Sequence, residues 1–248
     1  MTSERLRAFY ESPSVPSHSG PERACRQGAL LARLASRAIE PLRGVDVGCG
    51  DGAATKIALD ACRAAGGAAV AMAGCDWSGE ALVEARGRGL PVARASLEAE
   101  GLPFRSRSLD VVVMSELIEH LVDTDSALAE ARRVLVPGGT LLLSTPNLAA
   151  WYNRALLVAG VQPVFSEVSL KGIYGRPGSI VAGHLRLFTR RALTGLLAAN
   201  GFSEIEVSGA PYHDTPRALR PLDRWLCRVP GLSSILLVSA RRPPTVAR

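Results

Sequence analysis

The sequence predicts a doubly wound α/β domain on a mostly parallel sheet, and three observations carry that expectation. The first is Val45-Asp46-Val47-Gly48-Cys49-Gly50-Asp51-Gly52, a buried-strand pattern running into three alternate glycines, with a helix-forming run from Ala53 to Ala65 behind. Glycines there let the chain turn tightly and approach a bound molecule without a Cβ in the way. The helix start that follows offers unpaired N–H groups to a polar ligand. The second is a small-residue strand, Ala68 to Cys75, that ends in an acid, Asp76. A carboxylate at the tip of the second strand can accept from both hydroxyls of a ribose; it also suits a cap on the next helix, and the two roles are compatible. The third is the alternation of strand and helix patterns, which means parallel strands joined by crossovers.

Residues 1–40 carry helical periodicity, mainly from Pro21 to Ile39 with Leu30, Leu31, Leu34 and Ile39 apolar, and are expected to form a helical cover over the ligand cleft. Strands are expected near 44–48, 69–75, 91–95, 109–114 and 139–145, with helices near 53–65, 79–86 and 124–135. Pro137-Gly138-Gly139 marks a turn into the fifth strand. Residues 146–188 break the rhythm with mixed aromatics, glycines and prolines, as a lid insertion would. A helix over 189–200 stopped by Gly201, a strand at 203–208, a helix at 217–228 and a strand from Ser233 to Ala240 complete seven strands in one domain spanning 1–248.

The chain of 248 residues is long enough for one such domain with a full core. No run of eighteen or more apolar residues occurs, so no membrane span is expected. The N-terminal MTSERLRAFYESPS lacks the basic flank and apolar core of a signal peptide. Five cysteines, an odd number without CxxC pairing, read as reduced thiols with no zinc spacing, and a cytoplasmic location is expected. The net charge of +6 raises the question of nucleic acid. Lys56 and Lys171 are the only lysines and the arginines are scattered, so a nucleic-acid partner is not expected.

Four motifs in order resemble the class I S-adenosylmethionine-dependent methyltransferases: VDVGCGDG (45–52), AGCDWS (73–78), GLPFRSRSLDVVVMSELIEHL (101–121) and RVLVPGGTLLLSTPN (133–147). The resemblance covers roughly residues 40–210. It implies a seven-stranded sheet whose last strand is antiparallel, with S-adenosylmethionine as cofactor. It places Asp46 near the methionine amino end, Gly48 and Gly50 under the cofactor and Asp76 on the ribose, with Cys49, Trp77 and Ser115 completing the set. Trp77 either packs on the adenine face or covers the sheet edge. One departure stands out. The family usually has an Asp after the third strand, facing the adenine amino group, where this chain has Ser96. The Ser96 hydroxyl and the Leu97 backbone N–H are the groups offered to adenine instead, and Glu98 is not assigned that role.

Methyl transfer needs an acceptor aimed in line at the methyl and, for a hydroxyl, relieved of its proton. Glu116 follows the fourth strand, and Glu119 and His120 come three and four residues later, on one face if the segment is helical. Either the glutamates complement a helix start, or they join His184 of Gly183-His184-Leu185-Arg186-Leu187-Phe188-Thr189 in a site for Mg²⁺ or a softer divalent ion. ELIEH (116–120), STPN (144–147) and GHLRLFT (183–189) are similar to two metal-using groups, the ubiquinone-biosynthesis O-methyltransferases and the small-RNA 3′-end 2′-O-methyltransferases. Carried over, Glu116, Glu119, His120 and His184 would be the ligands. Without a metal, His184 is the candidate general base, beside Glu116 and His120. His18 and His213 lie outside the motifs.

Trp151, Tyr152, Phe165 and Tyr174 suggest an apolar acceptor pocket or the insertion's own small core, and Arg154, Lys171, Arg176 and Arg186 are candidate anion holders or ordinary surface. The leading expectation is O-methylation of a small-molecule acceptor, a phenolic or sugar-bearing natural product. N-methylation of an amine, metal-dependent 2′-O-methylation of RNA and a non-catalytic binding protein are the alternatives. A nicotinamide-dependent oxidoreductase fits less well, because Gly48-x-Gly50-x-Gly52 lacks the G-x-G-x-x-G spacing.

Overall fold

The computed structural model describes residues 20–244 apart from 68, 99, 179 and 180. The expectations for residues 1–19, including His18, and for Ala68 lie outside the described residues. In chain order the elements are α1 (Pro21–Ala35), β1 (Leu42–Val47), α2 (Ala53–Ala64), β2 (Val70–Asp76), α3 (Gly79–Gly87), β3 (Val92–Arg94) and β4 (Leu109–Ser115). A 3₁₀ turn (Ile118–His120) then leads to α4 (Thr124–Val134), β5 (Leu135–Pro146), α5 (Trp151–Val158), α6 (Arg190–Ala199) and β6 (Ser203–Ala210). A second 3₁₀ turn (Arg217–Leu219), α7 (Arg220–Leu226) and β7 (Ile235–Arg241) close the chain.

The sheet has the order β3-β2-β1-β4-β5-β7-β6. Strands β1 to β5 pair in parallel, and β7 runs antiparallel to both β5 and β6. Strand order reverses between β1 and β4, so the carboxyl ends of those two strands open onto a crevice where this topology binds ligands.

Both faces of the central strands are covered, as their near-continuous apolar runs require. Val112 and Met114 of β4 face one side with Val45, Leu141 and Leu143, packing on Leu128 of α4 and on Leu193 and Leu197 of α6. Val111 and Val113 face the other side with Leu142, against Leu31 of α1 and Leu59 of α2. The period of two along β4 thus sorts its side chains into two cores. Each fully buried leucine contributes about 1.5–3 kcal/mol. Helix α1 lies so close to α2 that a Cβ at Gly28 would come within 2.3 Å of the Ala58 carbonyl oxygen. The starts of α3, α4 and α6 are capped by the side chains of Ser78, Asp123 and Thr189, each accepting a backbone N–H in the first turn.

Several boundaries differ from expectation. Helix α1 stops at Ala35, and Ile39, expected on its apolar face, is fully exposed. Strand β5 begins at Leu135, directly from α4, and the pairing jumps from Leu109–Leu135 to Val111–Thr140. The Pro137-Gly138-Gly139 turn is therefore a bulge within the strand rather than its approach. The expected helix at 217–228 is a 3₁₀ turn followed by one short α-helix with Pro221 in its first turn. Residues 146–188 hold α5, and the ends of the segment meet where the Leu148 N–H donates to the Phe188 carbonyl at 2.9 Å. Among the described residues no helix is long and apolar enough to cross a membrane.

Candidate active site

A cleft of about 1750 Å³ opens over the carboxyl ends of the strands and runs from the glycine turn to the 146–188 segment. Asp46, Gly48, Cys49, Gly50, Asp76, Trp77 and Ser115 all border it. Gly48 and Gly50 have φ of 73° and 53°, the left-handed region where a side chain is strained. A Cβ at Gly48 would approach the Leu117 side chain at 2.9 Å, whereas one at Gly50 would meet nothing within 4 Å and would project into open space. Gly48 is thus required for packing, and Gly50 keeps the backbone bare toward the cleft.

Two carboxylates complete this end. Asp76 Oδ2 accepts the Gly50 N–H and Oδ1 the Ser78 N–H, both at 2.9 Å. Burial raises its carboxyl and these backbone donors oppose the rise. Each oxygen keeps a further lone pair for a ribose hydroxyl. Asp46 is buried at the end of β1, with Oδ2 accepting the Thr55 hydroxyl at 2.6 Å and Oδ1 without a hydrogen-bond partner. Burial pushes its pKa up to about 6, opposed by the Thr55 hydrogen bond and the Arg23 charge and reinforced by Asp76. An orphaned carboxylate oxygen bordering the cleft is an acceptor suited to an ammonium group. These residues fit S-adenosylmethionine: ammonium at Asp46, ribose diol at Asp76, bare backbone at Gly50.

The adenine end departs from expectation. Neither Ser96 nor Leu97 borders the cleft. The Ser96 carbonyl instead closes a turn by accepting from Glu100 and Gly101, and Leu97 packs against the core. The Glu98 carboxylate accepts the Val122 and Asp123 N–H groups. Trp77 and Arg94 border the cleft there, with Arg94 Nε donating to the Trp77 carbonyl at 2.9 Å.

At the other end the Glu116, Glu119 and His120 side chains do not share one α-helical face. Glu116 has a left-handed backbone (φ 51°), and the following residues form only a 3₁₀ turn. Glu116 accepts the Ser144 hydroxyl at 2.7 Å. Glu119 is completely buried; its Oε2 accepts the Thr145 hydroxyl at 2.9 Å, and its Oε1 has no hydrogen-bond partner. Burial, reinforced by the Glu116 charge, holds the Glu119 carboxyl well above the usual range. The Glu119 carbonyl accepts the Leu185 and Arg186 N–H groups, which brings His184 onto His120 with ring centroids 4.8 Å apart.

His120 Nδ1 lies 3.4 Å from the Gly183 carbonyl and His184 Nδ1 3.2 Å from the Phe165 carbonyl. A carbonyl only accepts, so each neutral ring is assigned its proton on Nδ1 and its lone pair on Nε2. Burial lowers the His120 pKa to about 3, with His184 adding to the effect, and that of His184 to about 4. Both are neutral imidazoles at pH 7. Ligand atoms of Glu119, His120 and His184 lie within 4.8 Å of one another; Glu116 stands outside that group.

The far wall is held by two buried carboxylates that the sequence did not single out. Glu167 pairs with Arg176 at 3.0 Å and accepts the N–H groups of Ala182, Gly183 and His184. Arg176 is therefore neutralised within the wall. Asp223, wholly buried, accepts from the Trp151 indole, the Ser234 and Thr215 hydroxyls and the Tyr212 N–H. Trp151, Tyr152 and Phe165 border the cleft, as does His213, paired with Asp214 at 3.2 Å. Tyr174 does not border it and is 60% exposed. Arg154 and Arg186 spend their guanidinium groups on backbone carbonyls. Arg23 and Gln27 were also unforeseen. Arg23 borders the cleft, and Gln27 accepts the Ser115 hydroxyl at 2.9 Å. Their spacing with Leu31 along α1, each four residues from the next on a buried stripe, was the available signal.

Residues 19–207 match a family model described as a methyltransferase domain. A malonyl-[acyl-carrier protein] O-methyltransferase of Geobacter sulfurreducens is 30% identical over 202 residues, covering 79% of this chain and 70% of that one. A ubiquinone biosynthesis O-methyltransferase of Methylococcus capsulatus is 37% identical over 115 residues, 42% of this chain and 44% of that one. A probable S-adenosylmethionine-dependent methyltransferase of Mycolicibacterium smegmatis is 34% identical over 125 residues, covering 49% of this chain and 44% of its own length. The chain thus spans less than half the length of two of these three relatives. Among solved structures, a methyltransferase of Thermotoga maritima described as a possible histamine N-methyltransferase is similar with a TM-score of 0.58 at 21% identity, covering 88% of this chain and 91% of that one; it supports the fold alone. The glycine turn, the two carboxylates above it and the family match agree: the chain belongs to the class I S-adenosylmethionine-dependent methyltransferases.

Proposed function

We propose that this methyltransferase O-methylates a small metabolite, a phenolic or sugar-bearing natural product. The observation that carries the reading is the pair of neutral imidazoles, His120 and His184, that border the cleft with ring centroids 4.8 Å apart. S-adenosylmethionine, when bound, supplies an electrophilic methyl on a sulfonium. Asp46 would hold its ammonium end and Asp76 its ribose, in the same cleft that His120 and His184 border. His184 Nε2 takes the acceptor hydroxyl proton as the C–O bond forms and the C–S bond breaks. Trp151, Tyr152 and Phe165 exclude water from the acceptor, and the 146–188 segment acts as its lid.

A second reading is favoured by one observation, the grouping of Glu119, His120 and His184 with ligand atoms within 4.8 Å of one another, Glu119 keeping Oε1 without a hydrogen-bond partner. Glu119, His120 and His184, with Glu116 nearby, would hold a divalent ion such as Mg²⁺. Such an ion supplies Lewis acidity and lowers the pKa of a coordinated hydroxyl. N-methylation of a small amine, which the Thermotoga protein's description as a possible histamine N-methyltransferase suggests, needs neither metal nor a strong base. RNA 2′-O-methylation fits less well with the scattered arginines, and a non-catalytic role would rest on Ser96 alone.

Turnover of S-adenosylmethionine on phenols, catechols, glycosides and amines, with and without EDTA, tests these readings. Chelator-resistant O-methylation that falls about 10²–10⁴-fold in His184→Ala is the expected result. Turnover confined to vicinal diols and abolished by EDTA moves the assignment to the metal reading. Turnover of amines alone, insensitive to His184→Ala, sinks O-methylation.

A further inference from the structure

We propose that the helical segment 216–229, beside the mouth of the cleft, is a docking surface for an anionic lipid bilayer. It is independent of which atom is methylated. Within this segment only Asp223 and Cys227 are buried, and Leu226 is half-buried. The remainder stands out from the body of the protein. Leu222 and Trp225 of α7 are 41% and 58% exposed and share one face with the half-buried Leu226 at i, i+3, i+4, and Val229, 53% exposed, follows in the turn after the helix. Leu219, also exposed, extends the stripe toward the cleft, which it borders together with Pro216.

A single exposed leucine is ordinary. An exposed leucine and tryptophan on one face of a short helix, with exposed Leu219 before it and Val229 after it, are not, and the charge beside them indicates what they face. Arg220 and Arg224 share a face of α7 at i, i+4, with Arg217 in the 3₁₀ turn before the helix and Arg228 in the turn after it. All four are exposed. The one acid in the segment, Asp223, points inward and its oxygens are taken by four donors. Glu22 pairs with Arg224 at 3.1 Å, yet the Arg224 side chain remains 63% exposed. The outer surface of the segment is therefore apolar and cationic.

That pattern is complementary to an anionic bilayer interface. Leucine and tryptophan enter the headgroup boundary while arginines remain with the phosphates. A convex helix suits a lipid surface, which yields around it, better than a rigid protein face, which would have to present a matching groove. Docking here would bring the cleft mouth to the lipid surface.

The test is flotation of the full chain with vesicles of phosphatidylcholine alone and of phosphatidylcholine with about one-third phosphatidylglycerol. Binding to the anionic vesicles, weakened by salt, and little to the neutral ones is the expected result. The double variants Leu222→Ser/Trp225→Ser and Arg217→Glu/Arg228→Glu should each lower partitioning on the order of tenfold or more, with S-adenosylmethionine affinity and Tm unchanged. Trp225→Phe should still bind but lose the blue shift in tryptophan emission. No flotation, flotation indifferent to lipid charge, or wild-type binding by both double variants overturns the proposal. So does a dimer that Leu222→Ser/Trp225→Ser disperses, which makes the face a self-interface, or capture of an acidic carrier protein without vesicle binding.

Discussion

Along the glycine turn, four groups facing the cleft lie between residues 46 and 76: Asp46, Gly48, Gly50 and Asp76 belong to β1, β2 and the turn between β1 and α2. The opposite wall is tied together by two buried acids whose partners mostly lie 8–17 residues away, with Trp151 and Asp223 bridging 72. Glu167 holds residues 176 and 182–184, and Asp223 joins α5, the segment after β6 and the residue before β7. The buried carboxylates at the turn and in the far wall also differ in what they leave free, although Glu119 Oε1 lacks a hydrogen-bond partner as well. At the turn a buried carboxylate oxygen of Asp46 has no partner, whereas the oxygens of Glu167 and Asp223 are fully engaged inside the protein. Carboxylates near the turn are kept available for a ligand; those in the far wall are consumed in building it.

The contrast is sharpest at Asp223. Replacing it with alanine leaves the Trp151 indole and the Tyr212 N–H buried without an acceptor, while the two hydroxyls can turn elsewhere. A loss of about 3–5 kcal/mol is expected, read from the urea midpoint. A midpoint unchanged within about 1 kcal/mol would mean that Asp223 does not hold the wall. Glu167→Gln removes the buried carboxylate that pairs with the Arg176 guanidinium and should cost about 3 kcal/mol. It should also raise the acceptor KM while leaving calorimetric affinity for S-adenosylmethionine intact. Loss of both affinities together would erase the distinction between the two ends.

Asp46→Asn acts on the other side. It should weaken S-adenosylmethionine binding about thirtyfold, close to 2 kcal/mol, without a matching loss of stability. The sign of the pH effect follows from the raised pKa of about 6 in the free protein. Below that pH the carboxyl is protonated and its attraction for an ammonium is lost, so affinity should fall as pH drops through 6. In Asp46→Asn the profile should be flat over that window, and a persisting slope would assign the titration to another group. Gly50→Ala is expected to have the smallest effect on folding, about 1–2 kcal/mol for a left-handed alanine. Its Cβ would stand in the open cleft, so binding should suffer more than stability.

The same division explains what was legible in the sequence. The turn could be read because its requirements are local: alternate glycines, an acid ending each of two strands and a helix start immediately after. The parallel pairing of the first five strands followed from the alternation of strand and helix patterns, and the antiparallel last strand was implied by the resemblance. Reading Glu116, Glu119 and His120 as one helical face failed because spacing carries no information about a residue that reverses its φ. Ser96 and Leu97 were placed by motif position, yet the chain there closes a turn back toward Gly101. Glu167 and Asp223 had no local signature at all. Each satisfies partners that only the fold brings together, and in the sequence each is one acid among 23.

Glu116 adopts a backbone conformation that glycine would occupy without strain and that a glutamate holds at roughly 1–2 kcal/mol. Selection for folding alone would therefore drive this position toward glycine. Glu116→Gly should melt at a higher temperature and turn over more slowly, placing the residue among those where stability and activity are exchanged. A screen of variants for thermal tolerance would then enrich the loss of a cleft-facing carboxylate, and a survey of turnover would reject the same clones.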